Sequence, residues 1–89
     1  MQVSRRIETK LQSALDPQSL EIVDESHLHA GHAGARPEGE THFRVHVVSE
    51  AFVGLGRVAR QRLVYAALAE ELAGPIHALS IRAQTPDEA

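Results

Sequence analysis

The chain has 89 residues, enough for one hydrophobic core and too few for two. Apolar residues make up 43% and charged residues 24%, with no Trp, two Phe and one Tyr, which is the mix of a folded domain with an aliphatic core. A net charge of −3 speaks against coating nucleic acid by bulk charge, and the absence of Cys excludes a disulfide scaffold, a thiol nucleophile or a Cys-built metal centre from this chain alone.

In chain order, Val3 to Leu15 predicts an amphipathic helix. Ile7, Leu11, Ala14 and Leu15 form its apolar stripe, and Ser4 is the expected N-cap. Asp16-Pro17 ends it, because the residue before Pro is pushed out of the helical region. Ser19 to Asp24 predicts a strand, with Leu20 and Ile22 alternating against Ser19, Glu21 and Val23. Glu25 to Glu40 has neither periodicity and reads as a long loop, a length more often functional than idle. Thr41 to Ser49 predicts a strand with Phe43, Val45 and Val47 on one face and His42, Arg44 and His46 on the solvated other.

Ala51 to Gly56 reads as a turn. A long helix is expected from Gly56 to about Ala73, burying Leu55, Val58, Ala59, Leu63, Ala66, Ala67 and Leu72, and Gly74-Pro75 stops it. Ile76 to Arg82 predicts the last strand. A single domain is expected over residues 1–85, with a flexible tail over 86–89. No apolar run approaches the ~18 residues of a spanning helix. Met1 to Lys10 lacks the apolar segment of a secretory signal, so a cytoplasmic address without membrane contact is expected.

Helix, strand, strand, helix, strand is an α/β order that folds as a two-layer α+β sandwich, with helices on one face of a three-stranded mixed sheet. The first two strands are expected antiparallel. The crossover helix makes the last two parallel and right-handed in connection.

Six His in so short a chain is the compositional oddity. His27, His29 and His32 crowd the long loop, where neutral imidazoles can converge on a metal, although solvated loop His is the more common case. His77 opens the last strand at the sheet edge. His42 and His46 read as exposed strand residues, His42 with the option of bonding the preceding loop. Arg57, Arg60 and Arg62 begin the long helix and Glu70 and Glu71 end it, against the macrodipole. The arginines imply a basic patch suited to phosphates or an acidic partner, or simply a solvated face. No catalytic constellation is present. Gly54-Leu55-Gly56 is only a fragment of a glycine loop, so the chain reads as a binding module rather than an enzyme.

Five blocks then become specific. They are Glu40-Thr41-His42-Phe43-Arg44-Val45, Val48-Ser49-Glu50-Ala51-Phe52-Val53-Gly54-Leu55, Arg60-Gln61-Arg62-Leu63-Val64-Tyr65, Leu68-Ala69-Glu70-Glu71-Leu72 and Ile76-His77-Ala78-Leu79-Ser80-Ile81. In order and spacing they resemble the BolA family over nearly the whole chain. The resemblance implies a fold similar to the class II KH domain. It also implies a partner, a monothiol glutaredoxin of the Cys-Gly-Phe-Ser type, with which a [2Fe-2S] cluster is shared.

In that arrangement glutaredoxin and glutathione supply thiolates and the BolA side supplies His. The last-strand ligand corresponds to His77. The loop ligand is His or Cys in the family; here it aligns with His29, with His32 as a close rival. Gln61 stands where the family often has His, and an aromatic-containing tail is not seen before Ala89. His ligation raises a cluster's potential and needs neutral imidazole, so binding should weaken in mild acid.

The expected function is therefore an adaptor in iron–sulfur trafficking and iron regulation, a monomer or homodimer alone and a heterodimer with its partner. The alternative is a DNA-binding transcription regulator. KH domains grip backbone with a GXXG loop, one residue longer than the glycine fragment here, and Arg57, Arg60 and Arg62 would supply the charge. A His metal-binder acting alone lacks a defined ligand set.

Overall fold

The structure, a computed structural model, describes residues 2–25 and 41–89. The expected loop, with His27, His29 and His32, lies outside the described residues. Helix α1 spans Gln2–Leu15 and strand β1 Ser19–Asp24; strand β2 spans His42–Val48 and is followed by a 3₁₀ turn at Glu50–Phe52. Helices α2 (Arg57–Ala67) and α3 (Ala69–Ala73) precede strand β3 (Ala78–Gln84) and a last 3₁₀ turn at Pro86–Glu88.

The α1 stripe is Val3, Ile7, Leu11 and Leu15, all buried. Each step of four residues turns about 40° past a full turn, so the seam winds round the helix. By the last turn it has left Ala14 behind, and Ala14 is exposed rather than packed. The helix also begins earlier than expected, at Gln2, so Ser4 sits inside it and not at its cap. Asp16 ends the helix in the left-handed region at φ 43°, which Asp tolerates better than most side chains. Ser49 stitches this end to the sheet: its hydroxyl donates to the Leu15 carbonyl and accepts from the Ala51 N–H.

The sheet order is β1-β2-β3, with β1 antiparallel and β3 parallel to the central strand, as the element order predicts. Phe43, Val45 and Val47 of β2 meet Ile7, Leu11, Phe52, Val64, Leu68 and Ile76 in one core, with Leu79 and Ile81 at its margin. Burial of this aliphatic surface drives the fold.

The long helix departs from expectation twice. It breaks at Leu68 (φ −108°, ψ 20°), whose N–H is shared between the Val64 and Tyr65 carbonyls. It also buries a different face: Val64 and Leu68 are inaccessible, Ala67 and Leu72 are partly covered, and Val58 is 60% and Leu63 38% exposed. Continuing the real seam by helical spacing leads to Glu71, which is fully buried. A charged residue on the inner face, and Arg60 four residues before Val64, disguised it in the sequence.

Strand β3 starts two residues later than predicted, because Ile76 is used as a core anchor before the strand and its N–H bonds back to the Glu71 carbonyl at 2.9 Å. Residues 86–89, expected as a flexible tail, include the Pro86–Glu88 turn, closed by a capping box between Thr85 and Glu88.

Candidate functional site

Parallel pairing of β2 and β3 sets their first residues side by side, His42 opposite Ala78. One carbonyl organises this end of the sheet. Thr41 C=O accepts the His77 N–H at 2.7 Å and the Ala78 N–H at 3.2 Å. His77 is thus fixed by its backbone while its side chain is exposed. Beside it lies His42, which is not solvated as the strand alternation suggested but only 6% exposed. The His42 and His77 ring centroids are 5.1 Å apart and the rings are inclined by 54°. His42 Nδ1 and the Thr41 hydroxyl are within 2.8 Å, a hydrogen bond that orients the buried ring.

The flanks of the long loop come to the same place. Glu25 N–H donates to the His42 carbonyl at 2.7 Å, and Thr41 receives His77. Glu25 and Thr41, the described residues on either side of residues 26–40, therefore lie at the end of the sheet where His77 stands. His29 and His32 themselves are outside the described residues. Among the described residues, no group of three or more His, Asp or Glu is arranged to hold a metal ion.

The turn that delivers His77 is anchored from below. Glu71 accepts at its backbone carbonyl from Gly74 and Ile76, and its carboxylate meets Arg6 at 2.8 Å and Lys10 at 2.9 Å. Lys10 also reaches Glu70 at 2.8 Å. Burial alone would push the Glu71 carboxyl up; hydrogen bonds from Lys10, its own backbone and Arg6 outweigh that and hold it below the usual carboxylate range. Hydrogen bonds to Glu70 and then to Glu71 raise Lys10 above its ordinary value. This clamp between α1 and α3 was missed in the sequence, where Glu70 and Glu71 read as end charges on a helix.

The three arginines do not form one patch. Positions 57 and 62 lie about 140° apart around the helix. Arg60 turns inward, donating to the Leu55 carbonyl at 2.9 Å and the Ala83 carbonyl at 3.2 Å and pairing with Glu88 at 2.6 Å. Hydrogen bonds from Arg60 and the Thr85 N–H pull the Glu88 carboxyl down to about 2. Arg57 and Arg62 are exposed. On the outer sheet face, His46 Nε2 bonds Gln84 Oε1 at 2.6 Å, so it is half-buried rather than free.

Comparison with known proteins follows this geometry. Residues 11–88 match the family model described as BolA-like protein. The chain is 57% identical over 84 residues to BolA-like protein 1 of Homo sapiens, covering 94% of this chain and 58% of that protein, so it spans little more than half of that relative. It is 43% identical over 88 residues to the DNA-binding transcriptional regulator BolA of Escherichia coli (strain K12), covering 99% of this chain and 80% of that protein. Among solved structures, the BolA domain of SufE1 from Arabidopsis thaliana superposes with a TM-score of 0.86 at 49% identity, covering 96% of this chain and 93% of that one. The solution structure of BolA1 from Mus musculus gives 0.82 at 51% identity, covering 97% and 67%. A three-stranded mixed sheet under its helices, with two histidines paired where β2 and β3 begin, is the frame of a chain that belongs to the BolA-like family.

Proposed function

We propose that this chain is a non-catalytic adaptor that binds a monothiol glutaredoxin of the Cys-Gly-Phe-Ser type and shares a [2Fe-2S] cluster with it, in iron–sulfur trafficking and iron regulation. The observation that carries the reading is His77: an exposed imidazole on a backbone fixed by Thr41 and packed against a buried His42. Such a side chain can donate a ring nitrogen to an incoming centre at little ordering cost.

The donor set fits a shared site. The chain has no Cys, so the thiolates would come from glutaredoxin and glutathione, with His77 and one of His29 or His32 from this side. When bound, the cluster would supply a bridge between the two proteins and a centre that is passed on. This chain's residues hold and orient the imidazole: Thr41 fixes the His77 backbone, His42 packs its ring, and Glu71 braces the turn before it. No described helix is long and apolar enough to cross a membrane, in keeping with a partner met in solution.

Anaerobic reconstitution with a monothiol glutaredoxin and glutathione tests the reading. The expected result is a heterodimer whose visible absorption and circular dichroism differ from those of glutaredoxin alone. A mixture that keeps the glutaredoxin spectrum and elutes as separate proteins would refute it.

A second reading is DNA binding, favoured by the name of the Escherichia coli relative and by the exposed Arg57 and Arg62. With Arg60 committed to Glu88, few cations remain for phosphates, so retention should be weak with a shallow salt dependence of about −0.9 per neutralised phosphate. Tight, sequence-specific retention at physiological salt without glutaredoxin association would reverse the order of the two readings.

A further inference from the structure

Among the described residues both outer strands of the sheet carry an open edge, and hydrogen bonds at the ends of β2 fix which backbone groups point there. Gln18 N–H donates to Val48 and Glu25 N–H to His42, so even-numbered residues of β2 serve β1. Ala78 N–H donates to Thr41 and Ser49 N–H to Gln84, so odd-numbered residues of β2 and even-numbered residues of β3 serve each other. Strand alternation then turns the N–H and C=O groups of Leu79, Ile81 and Ala83 away from β2. Arg60 agrees with this parity, since its guanidinium reaches the Ala83 carbonyl from α2.

Along this edge lies a cavity of about 560 Å³ between the start of α2 and β3, whose lining includes Leu55, Arg57, Gln61, Ile81, Arg82 and Gln84. Its lining combines apolar Leu55 and Ile81 with three arginines, Arg57, Arg60 and Arg82, and one carboxylate, Glu88. Arg60 is neutralised by Glu88, whereas Arg57 and Arg82 have no ion-pair partner among the described residues. The opposite edge, on β1, carries Glu21 and is followed by Glu25, the reverse charge.

We propose that the β3 edge binds an extended, acidic segment of a partner protein, added to the sheet as a fourth strand. Unpaired edge amides and carbonyls supply the register, and carboxylates of the segment meet Arg57 and Arg82. The Arg60 bond to Ala83 sets the limit of the docked strand, leaving the N–H and C=O of Leu79 and Ile81 and the N–H of Ala83 to pair. A nucleic acid strand fits less well, because the lining has no aromatic side chain on which a base stacks. This surface is separate from the His77 ring, which stands at the other end of β3, so the two can be tested independently.

The test is a titration of isotopically labelled protein with a short blocked peptide of alternating valine and glutamate, followed by amide NMR. The amides of Leu79, Ile81 and Ala83 should shift and exchange with solvent at least ~10-fold more slowly, and the valine–lysine counterpart should bind at least ~10-fold more weakly. Arg57→Glu combined with Arg82→Glu should invert that preference with the rest of the spectrum retained. As a backbone check, Leu79→Pro should weaken the valine–glutamate peptide by removing one outward N–H. No response at millimolar peptide, equal binding of both peptides, shifts confined to β1, preferred binding of a single-stranded oligonucleotide, or closure of the edge by self-association would each overturn the proposal.

Discussion

His42 and His77 stand as a pair with opposite exposure: ring centroids 5.1 Å apart, the first buried at the start of β2 and the second open to solvent before β3. Their roles should separate on substitution. His77→Ala leaves the backbone bond to Thr41 in place, so the fold is expected to persist while the spectrum of the cluster-bound heterodimer is lost. His42→Ala opens a buried site and should cost about 1–3 kcal/mol of stability. Circular dichroism with chemical unfolding reads both; an unaltered cluster spectrum in His77→Ala would remove it from the ligand set.

The second ligand is decided by three variants in the loop. His29→Ala should loosen the cluster more than His27→Ala. An effect confined to His32→Ala would move the ligand to that residue and keep the site.

Removing the carboxylate of the Glu71 clamp leaves Arg6 and Lys10 without their common buried partner. Glu71→Gln is expected to destabilise the protein by about 2–4 kcal/mol. Its amide keeps the volume, so the turn into His77 should be retained, and Glu71→Ala should be worse. Denaturant unfolding of both variants measures this, and a Gln variant as stable as the parent would mean that the pair only balances its own desolvation.

The Arg60–Glu88 pair makes a prediction about acid. The native Glu88 carboxyl is held down at about 2, below its ordinary range. A depressed carboxylate contributes stability that is present above the unfolded value of ~4.3 and fades as the pH drops through the native one. Carboxyl NMR titration should therefore place Glu88 near 2 in the native protein and return it toward the ordinary range in Arg60→Ala. A native midpoint near that of a free Glu would dissolve the pair.

If DNA is bound through the arginines of α2, Arg57 and Arg62 are the two of the three left available by the Arg60–Glu88 pair. Arg57→Ala with Arg62→Ala should abolish retention in a salt series and leave heterodimer formation through His77 intact. Loss of both activities together would place the two partners on one surface.

The order of elements and the mixed sheet were legible because alternation in β2 and the four-residue spacing in α1 are strong signals over buried surfaces. The buried face of α2 and α3 was not. Two apolar stripes competed there, and the true one runs through Val64 and Leu68 to a charged residue, Glu71, whose partners lie far away on α1. Likewise, His42 alternates as an outward residue, and its contact with the His77 ring arises across a parallel pairing that nothing local announces. Arg60 and Glu88 were read as a patch residue and a tail residue because nothing local links them. In each case the missing information was a contact between distant segments.

The parallel register that sets His42 against Ala78 joins segments separated by two helices and a turn, so its loop-closure cost exceeds that of the antiparallel pair by a modest margin. The pairing of β1 with β2 closes a shorter stretch of chain. During refolding, amide protection at Ala78 should then lag behind protection in β1, as contacts of long sequence separation form late. An imidazole presented only after that final closure would let a partner reading His77 engage finished molecules and pass over partly folded ones; simultaneous protection of Ala78 and the β1 amides in pulse-labelled exchange would contradict this ordering.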